Sequence, residues 1–260
     1  MHPKTEEFLY LLLWSTSVLL RPTFHNVVES FEYWSYGRGL FRQIAALQER
    51  KLVELASKTS GGRLCRLTRQ GRLHALGGRD PQTQWSRQWD GRWRLVLFDV
   101  PVELNVQRER LRRFLRDRGF GCLQGSVWIT PDPVQREQEL LADGKVDVEA
   151  LLLLEARPCA GETDSEIVHG AWDFRRINER YERYLKILDQ CPTEPLRDST
   201  AARGLRQWAT EERETWLEAV TLDPLLPESL LPQDYLGRRA WRHRVKVLRQ
   251  AGQLSNSFRL

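Results

Sequence analysis

The sequence predicts an α+β protein built from three modules in chain order. Three observations predict this class: helical patterns followed by a short hairpin at the start, a β-α-β-β-α-β order in the middle, and long amphipathic helices at the end. The chain has 260 residues, which is enough for two or three compact domains. Its composition, 41% hydrophobic and 29% charged, excludes disordered, collagen-like and low-complexity classes.

The first module, residues 1–78, combines helices with a hairpin. Helical spacing of apolar residues covers 6–13, 24–33 and a third segment with Leu40, Phe41, Ile44 and Leu47. Two short strands, 52–56 and 64–67, flank a turn in which Gly61 and Gly62 supply positive φ angles, and Thr68 caps a last helix. This order predicts a winged helix-turn-helix, in which the third helix enters the DNA major groove and the hairpin follows the backbone.

Charge in the first module favours a nucleic-acid partner. Positions 38 to 72 contain nine basic and two acidic residues, a surplus of +7 that exceeds the +5 of the whole chain. Arginine and glutamine read base edges, which predicts base contacts for Arg42 and Gln43, whereas hairpin arginines beside glycines suit phosphates. The alternative is a charged surface that is only solvated. The predicted DNA-binding residues are Arg38, Arg42, Gln43, Lys51, Arg63 and Arg66.

A polar linker, residues 79–91, precedes the second module, residues 92–157. An apolar strand over 93–99 ends at Asp99, and a basic helix follows over 103–118. Strands at 120–123 and 126–130, a helix at 133–141 and a strand at 148–155 complete the module. The order is that of the ferredoxin-like fold.

The third module, residues 158–260, is predicted to be helical, with helices over 169–188, 201–220 and 235–249. From Arg238 onward there are seven basic residues and no acidic one, which indicates a second cationic surface. The four cysteines are isolated, so neither a zinc site nor a disulfide framework is expected. The longest apolar run is too short for a membrane span and lacks signal-peptide features, so we expect a cytoplasmic protein.

Three ordered sequence segments carry a family resemblance. They are GRLCRLTRQG at 62–71, WRLVLFDVP at 93–101 together with the arginine-rich stretch 108–130, and DPLLPESLLPQDYLG at 223–237. With them the chain resembles the PaaX-type transcriptional repressors of bacterial phenylacetate catabolism and their PaaX-like relatives. The resemblance implies a central domain with the fold of the small CRISPR-associated nucleases. Stretch 39–53 departs from the family pattern and keeps only Arg42 and Leu47, so the operator sequence is not predicted.

The leading functional hypothesis is a dimeric, sequence-specific DNA-binding repressor that a small-molecule effector releases, without enzymatic activity, cofactor or metal. The family default for the effector is an aromatic acyl-CoA. Aromatic and cationic side chains at helical spacing place the effector site at Trp172, Arg176, Tyr181 and Arg213, although helix packing produces the same pattern.

Two alternatives stay open at this stage. A metal-dependent nuclease would use Asp99, where nuclease relatives of this fold hold a metal-binding acid, although capping or pairing with an arginine is the simpler role for one carboxylate. A DNA-binding adaptor without an effector is the other.

Overall fold

A computed structural model describes residues 1–13, 18–20, 39–57, 63–99, 105–134, 150–159 and 161–257. The chain divides into two compact units. The first unit joins both ends of the chain, and the second is mostly central. Their ranges are Met1–Asp80, Arg180–Glu218 and Leu236–Leu260 for the first unit, and Pro81–Glu179 with Ala219–Tyr235 for the second.

Helices and strands alternate through the first half of the chain and helices dominate the rest. The early elements are α1 (Pro3–Leu11), β1 (Val18–Leu20), α2 (Leu40–Glu49), β2 (Val53–Ser57), β3 (Arg63–Leu67) and α3 (Arg69–Ala75). The central elements are α4 (Pro81–Trp85), β4 (Trp93–Asp99), α5 (Asn105–Asp117), β5 (Gly121–Gln124), β6 (Val127–Thr130), β7 (Ala150–Ala156) and α6 (Asp164–Ala171). The last elements are α7 (Phe174–Asp189), α8 (Ser199–Leu222), a 3₁₀ turn (Glu228–Leu230) and α9 (Gly237–Ser257).

The first unit contains a three-stranded antiparallel sheet in the order β1-β3-β2. Residues Val53 to Ser57 pair with Leu67 to Arg63, and Val18 to Leu20 pair with Cys65 to Arg63 on the other edge. Helix α1 packs on α2 and α3, while α2 packs on β2 and α3 on β3. The apolar side of α2, formed by Leu40, Ile44 and Leu47, is fully buried, so its position is fixed by the core.

A buried charged network connects the two ends of the chain inside the first unit. Arg244 on α9 donates from Nε to Glu212 (2.9 Å) and from Nη2 to the Tyr10 hydroxyl (3.1 Å). The Tyr184 hydroxyl donates to the same Glu212 oxygen at 2.5 Å, and the Arg244 guanidinium lies 4.4 Å from the Trp216 ring centroid. Burial raises the pKa of the Glu212 carboxyl, and the positive charge of Arg244 opposes that rise.

The second unit contains a four-stranded antiparallel sheet in the order β5-β6-β4-β7. One face packs against α5 through a core formed by Val96, Phe98, Leu111, Leu115, Phe120 and Trp128. Along β4, the buried residues Arg94, Val96 and Phe98 alternate with the half-buried Leu95 and Leu97. Arg94 is only 8% exposed and bonds to Asp90 and Glu155. The hydrogen bond from Arg94 lowers the pKa of Asp90.

The described elements confirm the α+β class and correct several element predictions. The helix predicted over 169–188 is two helices, because Trp172 is extended (φ −129°, ψ 136°) and the Asp173 carboxylate accepts from the Arg176 amide at 3.0 Å. The predicted linker 79–91 contains α4, whose Trp85 is buried. The helix predicted over 24–33, residues 135–141 of the helix predicted over 133–141, and the turn with Gly61 and Gly62 lie outside the described residues. Among the described helices, none is both long and apolar enough to cross a membrane.

Candidate nucleic-acid interface

Helix α2 presents a mixed apolar and cationic face to solvent. Arg42 is exposed, as the predicted base contact requires, and Phe41 beside it is 57% exposed. Phe41 belongs to the apolar pattern of this segment, but it does not share the buried side formed by Leu40, Ile44 and Leu47. A large exposed aromatic side chain on an otherwise well-packed helix is the feature that sequence reasoning missed, and phenylalanine can contact a thymine methyl group.

Gln43 lies on the inner side of α2. It is 8% exposed, and its amide oxygen accepts a hydrogen bond from the Thr5 hydroxyl of α1 at 2.5 Å. The predicted base contact of Gln43 needs an exposed amide, and the packing of α1 on α2 gives this amide a partner in the interior instead. Arg42 therefore remains as the polar side chain of the predicted pair that faces solvent.

The turn after α2 is held by one threonine. The Thr68 hydroxyl lies 2.8 Å from the Lys51 carbonyl oxygen, to which it donates, and it accepts from the Gly71 amide at 2.9 Å, so it caps α3 as the sequence predicts. Lys51 has a φ of 57°, a left-handed conformation that exposes its side chain at the end of α2. The candidate DNA-contacting helix and the strands are thereby fixed to each other through hydrogen bonds.

Gly71 permits the close approach of α3 to this turn. A Cβ atom at residue 71 would lie 1.8 Å from the Leu52 carbonyl oxygen, which is backbone and cannot rotate away. We expect Gly71→Ala to destabilise the protein by about 3 kcal/mol, the upper end of the overpacking range. The measurement is chemical unfolding followed by circular dichroism.

Gly204 in α8 is the matched control for this substitution. It is also helical, but nothing lies within 4 Å of a Cβ built there. Gly204→Ala should therefore stabilise the protein by about 0.5–1 kcal/mol through helix propensity. Equal stabilities for Gly71→Ala and the wild type would show that the turn does not need this close contact.

The hairpin brings further cations to the same unit. Arg66 is exposed on β3 opposite Glu54, and Arg63 begins β3, although the side chain of Arg63 and the whole of Arg38 lie outside the described part. In the described part of 39–72, the exposed basic residues form no ion pair with an acidic side chain. They are Arg42, Arg50, Lys51, Arg66, Arg69 and Arg72.

The structure assigns the four predicted effector residues to two places. Trp172 and Arg176 belong to the second unit, where Trp172 is buried with its indole N–H bonded to the Gly119 carbonyl (3.1 Å) and Arg176 is exposed. Tyr181 and Arg213 belong to the first unit, where Tyr181 is fully buried. The two aromatic rings therefore serve packing in this structure.

Arg213 lines a cleft of about 340 Å³ in the first unit. Its guanidinium pairs with Glu6 at 3.2 Å and lies 5.8 Å from the Tyr10 ring centroid. Leu9 and His74 also line this cleft, where Leu9 offers an apolar contact and His74 a basic one. The volume is in the range of small-molecule sites.

Asp99 is exposed at the end of β4, opposite Ala150. In the described ranges, no group of three or more His, Cys, Asp or Glu side chains is arranged to hold a metal ion. Cleavage of DNA in the presence of magnesium, with Asp99→Ala as the control, is the direct assay of the nuclease alternative.

Comparison with known proteins defines the class as proteins that carry a Cas2-like central domain followed by a dedicated C-terminal domain. Residues 86–168 match the family described as the PaaX protein central Cas2-like domain, and residues 172–259 match the PaaX-like protein C-terminal domain. This chain belongs to the PaaX-like family, which confirms the resemblance seen in the sequence.

Among curated proteins, none matches the chain. The solved structure of the uncharacterized protein Rv0674 from Mycobacterium tuberculosis is similar at 19% sequence identity, with a TM-score of 0.49 and coverage of 85% of each chain.

Proposed function

We propose that this protein is a sequence-specific DNA-binding transcriptional regulator, a repressor that acts as a dimer and that a small-molecule effector releases. One observation carries the proposal. The solvent face of α2 and the adjacent hairpin hold exposed cations without acidic partners, and Arg42 stands beside an exposed aromatic ring on that face. Cationic side chains bind the phosphates of DNA. An arginine next to an apolar ring can contact the edges of the bases.

The arrangement of the described elements supports a winged helix-turn-helix in the first unit. The sheet order β1-β3-β2, with α2 placed before the hairpin, agrees with a wing that packs against the recognition helix. In the second unit, the order β5-β6-β4-β7 and the position of α5 after β4 support the ferredoxin-like fold. Family membership supports the regulatory role, because the central and C-terminal matches are both to PaaX domains.

Two further parts of the proposal concern partners. A dimer would bind a near-palindromic operator, because two-fold protein symmetry imposes two-fold symmetry on the site. Leu152 and Leu154, which are 52% and 43% exposed on the edge strand β7, are apolar side chains that a second copy would cover. Sedimentation equilibrium measures the mass directly.

The effector is proposed to be an aromatic acyl-CoA, as in the family default. The cleft beside Arg213 has room for the aromatic acyl group of such a ligand. An effector releases DNA only by as much as it prefers the conformation that does not bind DNA. Thermal unfolding across a panel of acyl-CoA esters tests this part, since a ligand at 100 times its Kd adds about 2.7 kcal/mol of apparent stability.

Arg42→Ala is expected to weaken operator binding by about 1–3 kcal/mol and to relax the preference at particular base pairs. The reason is that Arg42 is exposed on α2 and has no acidic partner in the described part of the chain. Sequencing the genomic DNA that the protein retains identifies the operator fragments. The measurement is the affinity of both proteins for these fragments and for their single-base variants.

Arg66→Ala is the matched comparison on the hairpin. As a phosphate contact, it should lower affinity for every sequence alike and reduce the slope of log affinity against log salt by about 0.9. If Arg42→Ala weakens specific and random duplexes equally, Arg42 is a phosphate contact and the base-reading role falls. A wild-type protein that retains no genomic fragment above background would overturn the proposed function.

A further inference from the structure

The last helix of the first unit carries a row of four cations along one side. Its inner side buries Ala240, Trp241, Arg244, Val247, Leu248 and Ala251. The opposite side exposes Arg239, Arg242, Lys246 and Arg249, which we call the α9 stripe. Spacings of three and four residues place these side chains in one line, and α9 contains no acidic residue.

The α9 stripe differs from several arginines of α7 and α8, which have acidic partners. On α7 and α8, Arg175 pairs with Glu179 at 2.8 Å, Arg180 with Glu218 at 3.2 Å, and Arg206 with Glu7 at 2.8 Å. By contrast, no residue of the α9 stripe forms an ion pair with any acidic group that the structure describes. Like charges three and four residues apart destabilise a helix by a few tenths of a kcal/mol per pair, so an external anion would relieve this repulsion.

We propose that the α9 stripe binds the phosphate backbone of double-stranded DNA, as a second contact of the unit that also carries α2 and the hairpin. This inference rests on the proposed function and deepens it. The ten residue steps from Arg239 to Arg249 rise about 15 Å. Phosphates of one DNA strand advance about 3.4 Å each along the duplex axis, so a row of cations of this length reaches several successive phosphates.

The chemistry of α9 favours DNA over other anionic partners. A helix that lies on a membrane inserts its apolar face, and the apolar face of α9 is buried in the protein core, while Val245 beside the stripe is exposed. A small phosphorylated ligand needs a concave site, whereas the stripe runs along a straight helix surface and contributes no residue to the cleft beside Arg213. Long cationic side chains in a line suit a regular polyanion, and they read no bases.

The test neutralises the stripe without disturbing the inner face of α9. The variant is Arg239→Gln/Arg242→Gln/Lys246→Gln/Arg249→Gln, since glutamine is a good helix former. Arg175→Gln/Arg180→Gln/Arg183→Gln/Lys186→Gln on α7 is the matched control, because it removes the same charge and its three arginines are already paired. Circular dichroism verifies that both variants keep their helices.

The measured quantity is the affinity for a 40-base-pair duplex of random sequence between about 50 and 200 mM salt. Each lost phosphate contact should reduce the slope of log affinity against log salt by about 0.9. Loss of the whole stripe should therefore reduce this slope by about 3–4. The control should change the slope by less than 1. Base discrimination on operator fragments should persist in the stripe variant.

The outcomes separate this inference from the proposed function. A stripe variant with the wild-type salt slope overturns the inference, while loss of discrimination in Arg42→Ala still supports the proposed function. If the stripe variant instead loses binding only to vesicles rich in phosphatidylserine, the stripe is a membrane contact and the inference is wrong. A wild-type protein that binds no duplex overturns both.

Discussion

Arg244→Met is expected to lower the free energy of unfolding by about 3–5 kcal/mol, because it leaves the buried Glu212 carboxylate without its positive partner. Glu212 is fully buried, so its carboxylate is far from bulk solvent when the guanidinium is removed. Tyr10 also loses the hydrogen bond from Arg244. Guanidinium chloride unfolding followed by circular dichroism measures the loss.

A double variant distinguishes the loss of the charge pair from a general packing defect. Glu212→Gln/Arg244→Met removes both charges and keeps an acceptor for the Tyr184 hydroxyl. It should be more stable than Arg244→Met alone, because no unpaired charge remains in the core. A double variant that is as unstable as the single one would show that the volume and contacts of Arg244, and not its charge, hold the first unit together.

The stability of the single variant Arg244→Met should depend on pH differently from that of the wild type. Burial raises the pKa of Glu212, and removal of Arg244 leaves that effect unopposed, so the pKa rises further. A carboxyl with a raised folded-state pKa stabilises the protein below its unfolded pKa, and that contribution is lost as pH rises through the folded pKa. The stability difference between Arg244→Met and the wild type should therefore shrink as the pH is lowered from 8 to 5.

Trp172→Ala should cost the second unit about 3–5 kcal/mol, the usual range for removal of a large buried aromatic side chain. Trp172 is 8% exposed, its ring centroid lies 6.1 Å from that of Trp93, and its indole bonds to Gly119. The ring also fills the space above Gly121, where a Cβ would lie 2.6 Å from Cε2 of Trp172. Urea unfolding monitored by far-ultraviolet circular dichroism gives the value.

Arg176→Ala is the comparison, because Arg176 is exposed four residues further along the chain and its loss should change stability by less than about 0.5 kcal/mol. The two variants also test the predicted effector site. If Arg176→Ala and Arg213→Ala both respond to an identified inducer at the wild-type concentration, the predicted set is not the effector site. Wild-type stability of Trp172→Ala would contradict the packing role and favour ligand binding.

The sequence predicted the elements whose signals are local. The apolar spacing of Leu40, Ile44 and Leu47 predicted α2, and Thr68 predicted the start of α3. The bounds of the two hairpin strands were predicted to within one or two residues. In each case, adjacent residues contain the information, because helix spacing, capping and strand pairing depend on near neighbours.

Contacts between distant residues were beyond the sequence. Gln43 was expected on the solvent side of α2 but is buried, because Thr5 of α1 supplies a partner for its amide oxygen, and nothing near residue 43 signals that contact. The break at Trp172 was missed because apolar spacing continues across it, although Asp173 before Phe174 is a capping signal. Arg244 was counted as a surface cation because its partners are on three other helices.

The union of both chain ends in the first unit has a consequence for biosynthesis. A ribosome that has made residues 1–80 has not yet made α9. Tyr10 therefore lacks its hydrogen bond from Arg244 until the whole second unit has been synthesised. Domains generally fold as units once their residues are available. The nascent first unit therefore completes its core only after α9 has been made, and messages truncated before α9 yield chains without a finished first unit.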